Sequence, residues 1–165
     1  MGDEVKHKSV LVLGIGNPIM SDDAVGGRLL QLLEQRYRFP CAVKLVDGDT
    51  MGTALLHHLE GVEKLLVVDA VETGGPPGTL IRLADDEIPR VMVAKLSPHQ
   101  QGLSDLLAVA SLQGWIPREV VVWGVQPASL DLGIDLSPPV AAQLEPLAAR
   151  ILEELQRWDI DTTCF

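Results

Sequence analysis

The sequence predicts an α/β fold, a three-layer sandwich in which a twisted, mostly parallel sheet of about five strands lies between helices. Three observations carry this expectation. Short runs such as SVLVL, LLVV and EVVVWGV are continuously apolar rather than alternating, as strands covered on both faces must be. Segments of helical periodicity separate several of these runs, the pattern of strand–helix–strand units. The chain has 165 residues, 47% hydrophobic and 22% charged, enough for a single domain over residues 1–165 whose core needs no covalent staple.

Ser9–Leu13 reads as the first strand, running into Gly14. Past the turn, Ala24, Val25, Leu29, Leu30, Leu32 and Leu33 recur at helical spacing as far as Tyr37, and Phe39-Pro40 closes that helix. Val43–Val46 is the second strand. It ends at Asp47-Gly48, a dipeptide suited to a turn, and Met51–Glu60 reads as the second helix. Leu65–Val68 is a third strand ended by Asp69. The Pro- and Gly-rich loop TGGPPG then leads to Thr79–Leu83, expected to be antiparallel at a sheet edge. Ser97–Gln100 forms a loop before a helix carrying Leu103, Leu106, Leu107 and Val109, and Glu119–Val125 is the last clear strand. A long final helix is expected from Ser137-Pro138-Pro139 to Trp158, capped by Ser137 and kinked at Pro146, with the tail WDIDTTCF lacking regular structure.

Composition removes several classes of function. Aspartate and glutamate outnumber lysine and arginine by 23 to 13, a net charge of −10 that repels a phosphate backbone, so nucleic acid and anionic membrane are poor partners. Cys41 and Cys164 make neither a disulfide framework nor a thiolate metal site; both are expected to be ordinary thiols in a reducing compartment. The polar start MGDEVKHKSV has no signal-like apolar core, and no later run of about 18 apolar residues follows, so a soluble cytoplasmic protein is expected.

In an open parallel sheet, ligands bind beyond the carboxyl ends of the strands, near the point where strand order reverses. Asp22 and Asp23 follow the first strand, Asp47 and Asp49 the second, and Asp69 the third. Gly14-Ile15-Gly16 opens like a dinucleotide loop, but Ile19 occupies the third glycine position and two acids enter the helix where a pyrophosphate would sit. No GxxxxGK[ST] sequence exists either, so the turn suits positive charge better than phosphate. Acids in a first turn ordinarily serve the helix dipole, and Asp22 is assigned that capping role beside Ser21. Asp69 is different, because a carboxylate ending the apolar strand KLLVVDA costs free energy unless something compensates it. His99, in the Pro-stiffened loop LSPHQ, can reach a site built by other loops. Together Asp23, Asp69 and His99 would supply two oxygens and one nitrogen with open positions, a set suited to nickel or zinc. No HExxH, GxSxG or Cys–His pattern offers a competing centre.

The stretches LGIGNPIMSDDAVG, DGDTMG, VVDAV and SPHQ, in this order and with these separations, resemble the hydrogenase maturation proteases. The resemblance also takes in PPGTL and GVQPASL and runs from about Val10 to the final helix. It implies an endopeptidase that removes a C-terminal extension from a nickel-iron hydrogenase large-subunit precursor after nickel insertion. It further implies that the nickel arrives with the precursor and is contacted by Asp23, Asp69 and His99. Asp47 matches the aspartate that the family links to cleavage or substrate choice, and is the candidate general base. Two departures stand out: Asp23 occupies a position where the family often has glutamate, and Asp49 one where glycine is usual. Two other readings of the same residues are a nickel-checkpoint chaperone that does not cut and a stand-alone metallohydrolase holding its own ion.

Overall fold

The computed structural model describes residues 9–49, 52–85, 88 and 101–164. Its strands are β1 (Val10–Ile15), β2 (Tyr37–Arg38), β3 (Val43–Asp49), β4 (Lys64–Ala70), β5 (Leu80–Ala84), β6 (Glu119–Val125) and β7 (Thr163–Cys164). Its helices are α1 (Val25–Arg36), α2 (Gln101–Gln113), α3 (Pro138–Ala141) and α4 (Leu144–Arg157), with 3-10 segments at Ser21–Ala24 and Gly52–Leu59. Five strands form one sheet in the order β3-β1-β4-β6-β5, parallel except for the edge strand β5. The fold is the expected α/β sandwich.

The continuous apolar runs have a direct cause. Successive side chains of β1 point to opposite faces, and both faces are covered. Val10 and Val12 pack with Leu29, Leu33, Leu147 and Ile151 of α1 and α4, while Leu11 and Leu13 pack with Leu55, Leu59 and Leu106 from the 3-10 helix and α2. Burying each such leucine is worth about 1.5–3 kcal/mol, so the two layers together dominate the favourable side of folding. In β4, Leu66 and Val68 join the first layer and Leu65 and Val67 the second, so Asp69 continues the parity of the face under the 3-10 helix and α2.

The chain passes from β1 to β3 on one side and then crosses to β4 on the other, which makes the β1/β4 pair the switch point of the sheet. Here α1 lies very close to the strands. A methyl group on Gly26 would sit 2.6 Å from the Val68 carbonyl oxygen, so only glycine permits this approach. The residues between β1 and α1 are thereby pressed over the ends of β1 and β4.

The expected second helix is present as a 3-10 helix at Gly52–Leu59. Three expectations are corrected. Asp47-Gly48 is not a turn but part of β3. The final helix is two helices interrupted at Ala142–Gln143; a continuous helix would drive the Pro146 ring into the Ala142 carbonyl, so the break comes one turn before the proline. The tail is structured: Trp158 and Ile160 are buried, and Cys164 and Thr163 pair antiparallel with Tyr37 and Arg38. Among the described residues no helix is long and apolar enough to cross a membrane.

Candidate active site

The site begins at the turn that leaves β1. Gly16 has φ of 134°, and a Cβ there would fall 1.8 Å from the backbone oxygen of Asp23. The turn closes on itself when the Asn17 N–H donates to Oδ2 of Asp23 at 2.7 Å. The Asp23 carboxylate is thus fixed at the crevice with only 2% of the residue exposed. Gly16→Ala should cost at least about 2 kcal/mol, since backbone strain and a clash with backbone coincide; a denaturant midpoint equal to that of the parent protein would refute this packing.

Asp69, near the end of β4, lies within reach of the charge of Asp23 at the switch point. It is 1% exposed, and among the described residues neither Oδ1 nor Oδ2 has a hydrogen-bond partner. Burial, reinforced by the charge of Asp23, holds its carboxyl well above the usual aspartate range; the adjacent Ala70 amide opposes this only in part and does not reach hydrogen-bonding geometry. An acid whose ionisation is opposed both by burial and by a neighbouring acid is one whose charged form a cation would stabilise. A metal ion fits there, because it would ligate the Asp69 oxygens, which have no partner among the described residues.

Asp47 lies on the other side of β1, opposite Gly14 in the β3 ladder, and is exposed. A methyl group on Gly27 would lie 2.8 Å from its Oδ2, so the carboxylate stands over the first turn of α1, where the helix dipole favours negative charge. Asp49 follows after a register shift and pairs with Ile15. His99 lies outside the described residues; α2, which starts two residues later, covers the sheet face to which Asp69 belongs by parity. Among the described residues no three His, Cys, Asp or Glu side chains gather as a metal-binding group, so Asp23 and Asp69 stand as a pair.

Asp22 is not a helix cap. Neither Met20 nor Ala24 makes a side-chain cap bond, and the hydroxyl of Ser21, a residue with φ of 50°, donates instead to the Asp131 carbonyl at 2.7 Å. The buried Asp22 carboxylate accepts the N–H groups of Ala128 (2.8 Å), Ser129 (3.0 Å) and Ser137 (2.7 Å), and the Ser137 hydroxyl at 2.8 Å. Burial alone would raise its pKa, but these four bonds together hold it below the ordinary value. Ser137, expected to cap the final helix, is thus committed to Asp22.

Two further polar residues went unnoticed in the sequence. Buried Gln126, at the end of β6, accepts the N–H (2.5 Å) and hydroxyl (3.0 Å) of Thr73, and its amide donates to Glu72 at 2.9 Å and to the Pro127 carbonyl at 3.2 Å. It ties the loop after β4 to the loop after β6, and its only sequence signal was a glutamine closing an apolar strand. Buried Glu154 of α4 pairs with Arg82 of β5 and accepts the Trp123 indole N–H at 3.3 Å. Burial works against its charge, and Arg82 more than compensates, leaving its pKa lowered.

The family model described as "Hydrogenase maturation protease" matches residues 28–154. The chain belongs to the hydrogenase maturation protease family. The protein is 50% identical over 143 residues to the hydrogenase expression/formation protein HupM of Azotobacter chroococcum mcd 1, covering 86% of this chain and 68% of that one. It is 39% identical over 153 residues to the Hydrogenase 2 maturation protease of Escherichia coli K12, covering 92% and 93%. The structure of the hydrogenase maturating endopeptidase HybD from E. coli superposes with a TM-score of 0.90 at 37% identity, covering 94% of this chain and 97% of that one. This maturation protease is accordingly a peptidase, and its twisted sheet between helices is that of its relatives.

Proposed function

We propose that this endopeptidase acts in the cytoplasm to remove the C-terminal extension of a nickel-iron hydrogenase large-subunit precursor, and that it reads the nickel already held by that precursor. The observation that carries this reading is the buried Asp69 carboxyl, without a hydrogen-bond partner among the described residues and within reach of the charge of Asp23. Among the described residues no third His, Cys, Asp or Glu joins this pair. A pair of carboxylates at the switch point, joined by His99 from the loop before α2, suits an ion that arrives with its other ligands attached.

Asp23, Asp69 and His99 would contact the substrate's nickel and so place the scissile peptide at the crevice. Asp47, exposed at the adjoining strand end, is the candidate general base. It would take a proton from a water as the water oxygen bonds to the scissile carbonyl carbon. The carbon–nitrogen bond then breaks, and that proton passes to the departing amine.

Incubation with nickel-loaded and nickel-free precursor, followed by mass spectrometry, tests this reading. Loss of the C-terminal extension from the loaded form alone is expected. Cleavage of both forms alike would exclude nickel recognition, and binding without cleavage would favour a checkpoint role. A stoichiometric ion in the isolated protein would point to a self-contained metallohydrolase. His99→Ala should lower processing by at least about 100-fold, the loss expected when a group that positions substrate is removed, with the thermal midpoint nearly unchanged. Processing at the parental rate would remove His99 from the site.

A further inference from the structure

Three of the large apolar side chains left most exposed lie together beside the crevice: Ile19 (50% exposed), Leu132 (79%) and Ile134 (66%). They share one hydrogen-bonded patch. The Gly133 N–H donates to the Ile19 carbonyl at 2.8 Å, the Ser21 N–H donates to the Gly133 carbonyl at 2.9 Å, and Met20 and Gly133 form a parallel bridge. Arg28 Nη2 donates to the Ile134 carbonyl at 2.6 Å, and the Asp22 carboxylate fastens the same segment at Ala128, Ser129 and Ser137. Scattered exposed apolar residues need no explanation, whereas a cluster gathered by hydrogen bonds, with its segment tied to the buried Asp22 carboxylate, marks a recognition surface.

The flanking charges indicate what it recognises. Leu132 and Ile134 are bracketed by exposed Asp131 and Asp135, and neither carboxylate pairs with a cation among the described residues. Ile19 lies in the same turn as Asp23, so the patch is continuous with the crevice. Resting on the function proposed above, we infer that Ile19 and the segment Asp131–Asp135 form a docking surface for the precursor. Its occupant is a stretch of the precursor with apolar side chains flanked by lysine or arginine. Asp22 and Asp23 then divide the work: Asp23 faces the crevice, and Asp22 holds the docking segment against it. Apolar contact supplies the binding energy, and the two carboxylates draw in and orient a basic partner.

The test compares the parent protein with Leu132→Ser/Ile134→Ser and with Asp131→Asn/Asp135→Asn, all changes at exposed positions. The probe is the nickel-loaded hydrogenase large-subunit precursor of the same organism. Its affinity is measured by calorimetry at low and high salt, and its processing by mass spectrometry. The apolar pair should raise Kd and KM by about 10-fold or more while kcat stays within about two-fold, since these residues bind but do not touch the reacting bond. The acidic pair should weaken binding at low salt and flatten its salt dependence. Unchanged affinity in both variants overturns the docking surface, even if processing proceeds. Weakened affinity in variants of a protein that never cleaves would uphold the surface and reject the protease reading. A loss of self-association in sedimentation, with precursor affinity unchanged, would assign the patch to a second copy of this chain and overturn the proposal.

Discussion

Asp69→Asn should abolish precursor processing while making the free protein more stable by about 1–3 kcal/mol near neutral pH, because it removes a group that ionises freely in the unfolded chain and that the fold keeps from ionising. For a chain of this size that corresponds to a rise in Tm of about 2–4 °C per kcal/mol. The effect should depend on pH in a defined direction. Burial, then the charge of Asp23, raises the folded-state pKa above the ordinary aspartate value of the unfolded chain, so the folded form holds its proton more tightly. Below the unfolded value the carboxyl costs nothing as a charge. The penalty grows as pH rises through the window between the two values and is complete above the folded one. Thermal melts across pH should therefore show the two proteins converging in acid and diverging toward neutrality. An Asp69→Asn variant less stable than its parent at pH 7 would mean that the carboxylate is compensated within the fold, and the case for an external cation would fall.

Asp22 is expected to behave in the opposite way, although it too is a buried aspartate in the same region. Asp22→Ala leaves the amides of Ala128, Ser129 and Ser137 without an acceptor and should destabilise the protein by about 3 kcal/mol. Burial pushes its carboxyl up, but the four donated bonds outweigh this and leave the folded-state pKa lowered. Its stabilising contribution is thus complete above the unfolded value and lost as pH falls through the lower folded one. The difference between parent and variant should be greatest above about pH 4, near the unfolded aspartate value, and should narrow as pH falls below it. Denaturant unfolding at several pH values checks the sign. Amide exchange at Ala128, Ser129 and Ser137 checks the location and should speed up in the variant. Equal stability at neutral pH would show that Asp22 does not anchor this segment.

The contrast between these two aspartates indicates what the sequence could disclose. Asp69 was legible because a carboxylate closing a continuous apolar strand has few ordinary explanations, and its place at the switch point follows from strand order. The role of Asp22 was not, since a first-turn acid beside a serine has the form of a helix cap while its partners stand 106 to 115 residues away. Local pattern carries no record of such a bond. The strands of the sheet were readable because burial on both faces demands unbroken apolar runs, and β6 has the expected ends. The 3-10 form of Gly52–Leu59 was hidden, as Leu55 and Leu59 bury equally well in either helix type. The β2–β7 ribbon, two residues on each side, is too short to show any periodicity.

The most direct test of the Asp23–Asp69 pair is a difference of affinities. Parent and Asp69→Asn proteins are each titrated with nickel-loaded and nickel-free precursor under conditions too cold for turnover. The parent should bind the loaded form at least about 10-fold more tightly, a difference of about 1.4 kcal/mol or more, and the variant should bind the two forms alike. If the variant keeps the full preference, the buried carboxylate of Asp69 does not read the metal.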